Sequence, residues 1–268
     1  MRKSYIVSAK RTAIGSFLGG LATVKPKDMG SAVVKALLED ANVAPENVDE
    51  VICGNVLGAG LGQNIGRTIA LEAGIPETVC AHSVNMVCGS GLRTVMEAVM
   101  SIQCGFNDIV VAGGVESMSG APYLIPANTR TGNKMGNFTV VDHMIYDALT
   151  DARANIHMGV TAENIAKKYN ITREEQDAFG YASQQKAIAA VDSGRFKDEI
   201  VPITVHLKKQ DVIFDTDEHP NRKSTPEKMA KLRPAFVKDG TVTAGNASGI
   251  NDGASFVLVA SEDAVKKY

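Results

Sequence analysis

The chain has 268 residues, of which 44% are hydrophobic and 22% are charged, and its formal net charge is -2. These values are typical of a globular protein with a sizeable core, and the lack of a basic block argues against nucleic acid or a membrane surface as a partner. No apolar run is long enough to cross a bilayer or to form a signal peptide, so we expect a cytoplasmic protein.

The first elements in chain order are a strand, a helix, a second strand and a second helix. Residues 4–9 predict a strand, and Pro26 suits the first turn of a helix. Residues 50–57 form an apolar run bounded by turn residues, which indicates a buried strand. A short helix over residues 65–73 is stopped by Gly74. The helix from Pro26 repeats apolar residues at four-residue spacing, namely Met29, Val33 and Leu37.

A βαβ unit follows. Residues 81–87 predict a strand, a tight turn contains Cys88, and the next helix ends at Gly105 before a strand over residues 109–112. A crossover of this kind implies two parallel strands with a right-handed connection. The helix is expected to bury apolar residues that recur three and four apart: Leu92, Val95, Met96, Val99 and Ile102.

This pattern puts the Cys88 thiol at a helix N-terminus. Unpaired N–H groups and the helix dipole favour an anion there, so the pKa of the thiol is expected to fall and its nucleophilicity to rise. The alternative is a buried, inert cysteine, and position alone leaves both interpretations open. The four cysteines show no CxxC spacing and no zinc-type pairing with histidine, which predicts free thiols in a reducing compartment and no metal. They are Cys53, Cys80, Cys88 and Cys104.

The composition changes after Gly114. Residues 119–156 are rich in Gly, Asn, Pro and Met without a clear period, and two helices follow, the second beginning with a capping box of Thr172 and Glu175. Residues 199–207 predict a strand, and strand patterns return at residues 241–243 and 255–260. We therefore interpret residues 119–244 as an insertion between strands of one sheet, forming a subdomain of its own.

The last residues begin a helix. Ser261 is a good N-cap, and two acidic residues follow it in the first turn. The helix has barely two turns before Tyr268, which suggests a missing C-terminal part. A short frayed tail is the alternative.

Four segments in this order resemble the thiolases of the acetyl-CoA acetyltransferase type: residues 83–92, 112–119, 157–164 and 244–254. The resemblance covers essentially the whole chain. It implies an α/β, thiolase-like fold whose N-terminal αβα half has a mixed five-stranded sheet between helices. Residues 1–118 and 245–268 would form this core, residues 119–244 a loop domain for CoA binding, and the C-terminal half would be absent.

The resemblance implies condensation of two acetyl-CoA molecules to acetoacetyl-CoA and CoA, and the reverse thiolysis, through an acyl-Cys88 intermediate. No cofactor is implied, because the coenzyme A thioester is the substrate. The full-length protein would be a dimer or tetramer of identical subunits in fatty acid metabolism. Segments that carry the activating histidine and the second catalytic cysteine do not occur in these 268 residues, so this chain alone is expected to be inactive. The His219–Pro220 pair lacks the glycines that flank the catalytic histidine.

The resemblance also implies residues that contact CoA. His157 and Ser248 would contact the pantetheine arm. The alternatives are an ordinary surface or core histidine and a serine that only forms a turn. Glu116 and Ser117 are interpreted as structural supports of the Cys88 loop, and Gly113-Gly114 as letting the backbone approach Cys88. Further expected contacts are an apolar sleeve of Leu149, Met158 and Phe236, for which packing in the core is the alternative. Ala244 and a phosphate contact at Arg222 complete the set, and the alternative for Arg222 is a solvated surface charge.

Three other functions stay open at this stage. A ketoacyl synthase-like condensing enzyme shares the fold and the cysteine, but the long insertion with the segment around His157 argues against it. A non-catalytic CoA-binding half would bind CoA without turnover. A peroxide sensor would use Cys88 as its reactive thiol.

Overall fold

The computed structural model describes residues 2–268. The chain forms two compact units. The core unit contains the stretch up to Gly120, Lys197–Asp217 and Asn251–Tyr268, and the second unit contains Ala121–Phe196 and Glu218–Ile250.

The strands and helices are numbered in chain order. The strands are β1 (Ser4–Thr12), β2 (Gly15–Ser16), β3 (Glu50–Gly54), β4 (Cys80–Val84), β5 (Ile109–Ser117), β6 (Tyr123–Leu124), β7 (Val141–Asp142), β8 (Ile200–Val201), β9 (Ile203–His206), β10 (Asp211–Phe214) and β11 (Asn251–Ser261). The helices are α1 (Pro26–Asp40), α2 (Ile65–Glu72), α3 (Ser90–Cys104), α4 (Met158–Tyr169), α5 (Arg173–Asp192), α6 (Pro226–Ala230) and α7 (Glu262–Lys267). A π-helical turn spans Met144–Ala148.

The core unit is built on one mixed sheet with the strand order β4-β3-β5-β11-β1-β8, and β2 also pairs with β11. Strand β3 is parallel to both β4 and β5, whereas β11 is antiparallel to β5 and β1. Five long strands therefore form the mixed sheet expected from the sequence. The two-residue strands β2 and β8 extend it to seven.

Helices cover the sheet on both faces, in agreement with the predicted α/β class. On one face, α1 buries Met29, Val33 and Leu37 completely, as their four-residue spacing predicts. On the other face, Ala98 and Ile102 of α3 pack in a smaller apolar cluster that includes Ile52, Val110, Ala112 and Val259.

Of the five apolar side chains that α3 was expected to bury, Ile102 is fully buried, and Val95 and Val99 are half-buried against the same cluster. Leu92 is 70% exposed and Met96 is 47% exposed, so the prediction that both are buried was wrong. The buried stripe lies two residues further on, about 200° around a helix from Leu92 and Met96. The residues of this buried stripe are Ser90, Thr94, Ala98 and Ile102.

Two predicted strands have another structure. Pro202 has no N–H to donate, and the strand expected over residues 199–207 is interrupted there into β8 and β9. The strand expected at residues 241–243 does not form, because the N–H groups of Thr241 and Val242 donate to the Glu163 carboxylate instead. The strands expected over residues 50–57 and 81–87 end earlier, at Gly54 and Val84.

Lys197–Asp217 belongs to the core unit, although the sequence analysis placed it in the insertion over residues 119–244. Ile203, Val205 and Phe214 are buried in the main core cluster, which explains the difference. Arg11 of β1 holds both ends of this stretch. Its Nε donates to Glu199 Oε1 over 2.6 Å, and its Nη1 donates to Asp217 Oδ1 over 2.7 Å. Strand β8 lies at the edge of the sheet and not in its centre.

The helix starts predicted from side-chain caps are confirmed at Thr172, which forms a capping box with Glu175, and at Ser261, which accepts a hydrogen bond from the Ala264 N–H. Across the described part of the chain, we find no helix with both the length and the apolar composition needed to span a bilayer.

Candidate active site

Cys88 lies in the turn between β4 and α3 and is exposed. Gly89 is the N-cap of α3, and no side chain caps this helix end. An anion at this position faces the positive end of a 15-residue helix. The structure thus places the thiol where the βαβ pattern predicts it and shows that Cys88 is not buried.

Cys53 is the opposite case. It is fully buried in β3, and burial, with a smaller contribution from the nearby Glu116 carboxylate, raises the pKa of its thiol to about 12. Cys80 in β4 and Cys104 at the end of α3 are exposed, like Cys88. Position relative to α3, and not exposure alone, distinguishes Cys88 from these two.

Glu116 supports the loop that follows β3. Its carboxylate accepts hydrogen bonds from the Asn55 side-chain amide and from the N–H groups of Val56 and Leu57, at 2.9 to 3.0 Å. The Ser117 hydroxyl accepts from the Gly120 N–H. Both residues therefore make structural contacts, but with the loop after β3 and with Gly120, and not with the Cys88 loop that they were expected to support.

Gly113 has a different role from the one expected. A Cβ at this position would lie 2.2 Å from the Ser255 carbonyl oxygen and 2.6 Å from the Phe256 Cα. Gly113 is therefore needed because β11 approaches it closely, and not because the backbone approaches Cys88. A Cβ at Gly114 would lie 2.7 Å from the Gly54 carbonyl oxygen of β3.

His157 is the N-cap of α4 in the second unit. Its Nδ1 accepts a hydrogen bond from the Gly159 N–H over 3.0 Å, which assigns the ring proton of a neutral imidazole to Nε2. The ring stacks on Phe236 with 4.8 Å between centroids. A Cβ at Gly159 would lie 2.3 Å from the Phe236 ring, so glycine allows Phe236 to approach the start of α4.

Three apolar residues that were expected to contact CoA lie in the same group as His157. Met158 donates its N–H to the Leu149 carbonyl oxygen over 2.8 Å, and Leu149, Met158 and Phe236 are all half-buried. His157 and the three apolar residues are thus brought together in the second unit. This arrangement presents one imidazole N–H beside an apolar surface.

Ser248 and Ala244 lie exposed on a loop that precedes β11. Asn246 fixes this loop, because its side-chain oxygen accepts from the Thr243 N–H and its amide donates to Asp177 and to the Thr241 carbonyl oxygen. Glu163 of α4 holds the start of the loop through Thr241 and Val242.

Sequence reasoning did not identify Glu163, Asp177 or Asn246 as residues that position this loop. The available signal was the place of Glu163 inside the segment that begins at His157, and of Asn246 beside Ser248. Burial raises the pKa of Glu163, but the hydrogen bonds from Thr241 and Val242 together outweigh it, and the net pKa lies below the ordinary value.

Arg222 is paired within the second unit. Its guanidinium donates to both carboxylate oxygens of Asp192, at 2.9 and 2.5 Å, and this hydrogen bonding raises its pKa. The pair is exposed at the end of α5. Arg222 therefore has a carboxylate partner, and its plain interpretation as a surface charge fits better than a phosphate contact. No group of three His, Cys, Asp or Glu side chains that could hold a metal ion occurs within residues 2–268.

Comparison with known proteins identifies the family. Residues 4–263 match the family described as thiolase, N-terminal domain. An acetyl-CoA acetyltransferase of Thiocystis violacea is 55% identical over 263 residues, which are 98% of this chain and 66% of the relative. An acetyl-CoA acetyltransferase of Escherichia coli (strain K12) is 52% identical over 264 residues, 98% of this chain and 67% of the relative.

A solved structure confirms the fold. The crystal structure of the Bacillus anthracis acetyl-CoA acetyltransferase superposes with a TM-score of 0.96 at 42% identity, covering 100% of this chain and 67% of that chain. The chain belongs to the thiolase family and has the thiolase-like α/β fold that its four segments predict. It spans about two thirds of the length of the curated relatives it matches.

We expect Glu163→Ala to destabilise the second unit by about 2 kcal/mol, because the Thr241 and Val242 N–H groups lose a charged acceptor. Glu163→Gln, which keeps one acceptor oxygen, should cost less. Since the pKa of Glu163 is lowered by folding, its contribution is complete above the ordinary value of 4.5 and is lost as the pH falls through the lower folded value. Urea denaturation of both variants at neutral and acidic pH checks this. Equal stability of parent and Glu163→Ala would contradict it.

Proposed function

We propose that the protein is an acetyl-CoA acetyltransferase, which condenses two acetyl-CoA molecules to acetoacetyl-CoA and CoA and catalyses the reverse thiolysis. The observation that carries the proposal is the exposed Cys88 thiol at the N-terminal end of α3. Membership in the thiolase family and relatives named acetyl-CoA acetyltransferase support it. Because the chain spans about two thirds of those relatives, the complete reaction is proposed for the protein as a whole.

Cys88 would act as the nucleophile. Its thiolate attacks the thioester carbonyl of acetyl-CoA, the new carbon–sulfur bond gives acetyl-Cys88, and CoA leaves as a thiolate that takes up a proton. The N–H groups near the start of α3 would stabilise the oxyanion of the tetrahedral intermediate. In the second half-reaction, a second acetyl-CoA loses a proton from its methyl carbon to a base, attacks acetyl-Cys88 and releases the free cysteine.

The second unit would hold the CoA substrate. The Nε2–H of His157 can donate to a pantetheine amide, and the apolar faces of Leu149, Met158 and Phe236 suit the methylene groups of the pantetheine arm. Ser248 and Ala244 lie on a loop of fixed shape, which supports a contact of these residues with the pantetheine arm. The ion pair of Arg222 with Asp192 argues against a phosphate contact at that residue.

Incubation of the whole protein with acetyl-CoA tests the nucleophile. Intact-mass spectrometry should show one added acetyl group, and peptide mapping should assign it to Cys88. Cys88→Ser should abolish this thioester, and Cys104→Ser, which removes another exposed thiol, should leave it unchanged. CoA binding without acetylation of Cys88 would favour the non-catalytic CoA-binding alternative.

The proposal extends to location and assembly. The four free cysteines support a reducing compartment, which for this protein would be the cytoplasm. The whole protein would be a homo-oligomer whose partners are acetyl-CoA, acetoacetyl-CoA and CoA. Gel filtration with light scattering tests the oligomeric state.

A further inference from the structure

The residue before Cys88 has an unusual backbone conformation. Val87 has φ of +50°, in the left-handed region. For a β-branched side chain this conformation is a genuine outlier and costs free energy, so it persists only where neighbouring contacts enforce it. Val87 is also 44% exposed, so burial of its own side chain in the core does not explain the conformation.

The Ser90 side chain makes two of the contacts that enforce it. Its hydroxyl oxygen accepts from the Met86 N–H over 2.9 Å, and the same hydroxyl donates to the Val87 carbonyl oxygen over 2.6 Å. Ser90 thus joins both residues that precede Cys88. The Asn85 side-chain oxygen adds a third contact by accepting from the Val87 N–H over 3.0 Å.

Ser90 itself is fixed by packing. Ser90 is only 5% exposed. A Cβ added to Gly54 would lie 2.9 Å from the Ser90 carbonyl carbon and 3.0 Å from the Ser90 Cβ. The end of β3 therefore packs directly against Ser90. The loop after β3 is fixed in turn by the Asn55 N–H, which donates to Val84 at the end of β4.

We propose that Ser90 is a positioning residue for Cys88, which it keeps at the start of α3 by holding Val87 in the left-handed conformation. This inference rests on the proposed function for its catalytic meaning, because the proposal assigns Cys88 as the nucleophile. When the Ser90 hydroxyl is removed, Val87 can return to a favourable φ. The backbone of Cys88 follows directly, and its sulfur loses its place at the positive end of the helix.

Alkylation of the chain with iodoacetamide at pH 7.5 tests the mechanism, with the site of labelling read by peptide mapping. Cys104 lies at the other end of the same helix and serves as an internal reference. Ser90→Ala should lower the labelling rate of Cys88 relative to Cys104 by about tenfold, the effect of about one lost hydrogen bond to a charged or strained group.

Val87→Gly provides a rescue. Glycine adopts positive φ without strain, so the turn no longer depends on the Ser90 hydroxyl. The double variant Ser90→Ala/Val87→Gly should therefore recover most of the Cys88 labelling that Ser90→Ala loses. A merely structural role of Ser90 would give additive losses, and additive losses would overturn the proposal.

Thr94→Val is the matched control. Thr94 is a buried hydroxyl one turn further along α3, and it donates to Gly91 and Gly113 without touching the turn. Thr94→Val should lower the melting temperature but leave the ratio of Cys88 to Cys104 labelling unchanged. An equal fall of the ratio in Thr94→Val would overturn the proposal.

A second route remains if Ser90→Ala does not fold. Asn85 is exposed, so Asn85→Ala should fold, and it should lower the labelling ratio by about threefold with rescue by Val87→Gly. No change of the ratio in Asn85→Ala would then overturn the proposal. Alkylation needs no acetyl-CoA, so these outcomes are distinct from a failure of Cys88 to become acetylated.

Discussion

Iodoacetamide should label Cys88 first and Cys53 last in the folded chain. Burial raises the pKa of the Cys53 thiol to about 12, so at pH 8 its thiolate is about a thousandfold rarer than that of an ordinary cysteine. Its side chain also has no exposed surface. Cys80 and Cys104 are exposed and should react at intermediate rates. Only Cys88 combines exposure with the start of a helix.

Peptide mapping after a limiting dose of reagent measures the order. Addition of urea is the control, because unfolding should bring Cys53 to the rate of the other cysteines. Dominant labelling of Cys104 in the folded chain would contradict the role of the helix end. Early labelling of Cys53 would show that β3 opens far more readily than a fully buried central strand should.

The second large effect concerns the exposed apolar row of α3, which consists of Leu92, Met96 and Met100. These residues follow one another at four-residue spacing and are 70, 47 and 43% exposed. An apolar row on a helix that is exposed to water tends to pair with another apolar surface. We expect the 268-residue chain on its own to self-associate through this row as its concentration rises.

The double variant Leu92→Lys/Met96→Lys should shift the chain to monomer, because two charges on the row repel and keep it solvated. Phe179→Lys, which changes a 79% exposed apolar residue of α5, is the control and should not alter association. Sedimentation velocity over a range of concentrations measures the effect. A parent chain that stays monomeric, or a double variant that still associates, would contradict the prediction.

Hydrophobic periodicity predicted where the helices lie in the chain, but not which side of α3 packs on the sheet. The spacing of Met29, Val33 and Leu37 predicted the buried face of α1 correctly. In α3 the row of Leu92, Met96 and Met100 is exposed, whereas Ala98 and Ile102 are buried against the sheet. A hydrophobic pattern therefore located the helix but could not decide which of its two faces meets the sheet.

The Cys88 turn could be predicted from sequence, whereas the contacts that shape it could not. A strand, a glycine-rich turn and an amphipathic helix are local patterns. The bonds of Glu163 to Thr241 and of Glu116 to Val56 join residues far apart in the chain, and neither pair shows a local pattern. The same holds for residues 197–217, whose two ends are held by hydrogen bonds from the distant Arg11.

Strand β11 follows β5 only after the whole insertion, yet it lies between β5 and β1, and its Ser261 pairs with Ser4. During synthesis, β1 and β5 therefore each lack a partner along one edge until β11 has emerged from the ribosome. Closure of so long a loop makes folding slow, and open edges invite aggregation in the meantime. The sheet should therefore form cooperatively only after β11 is released.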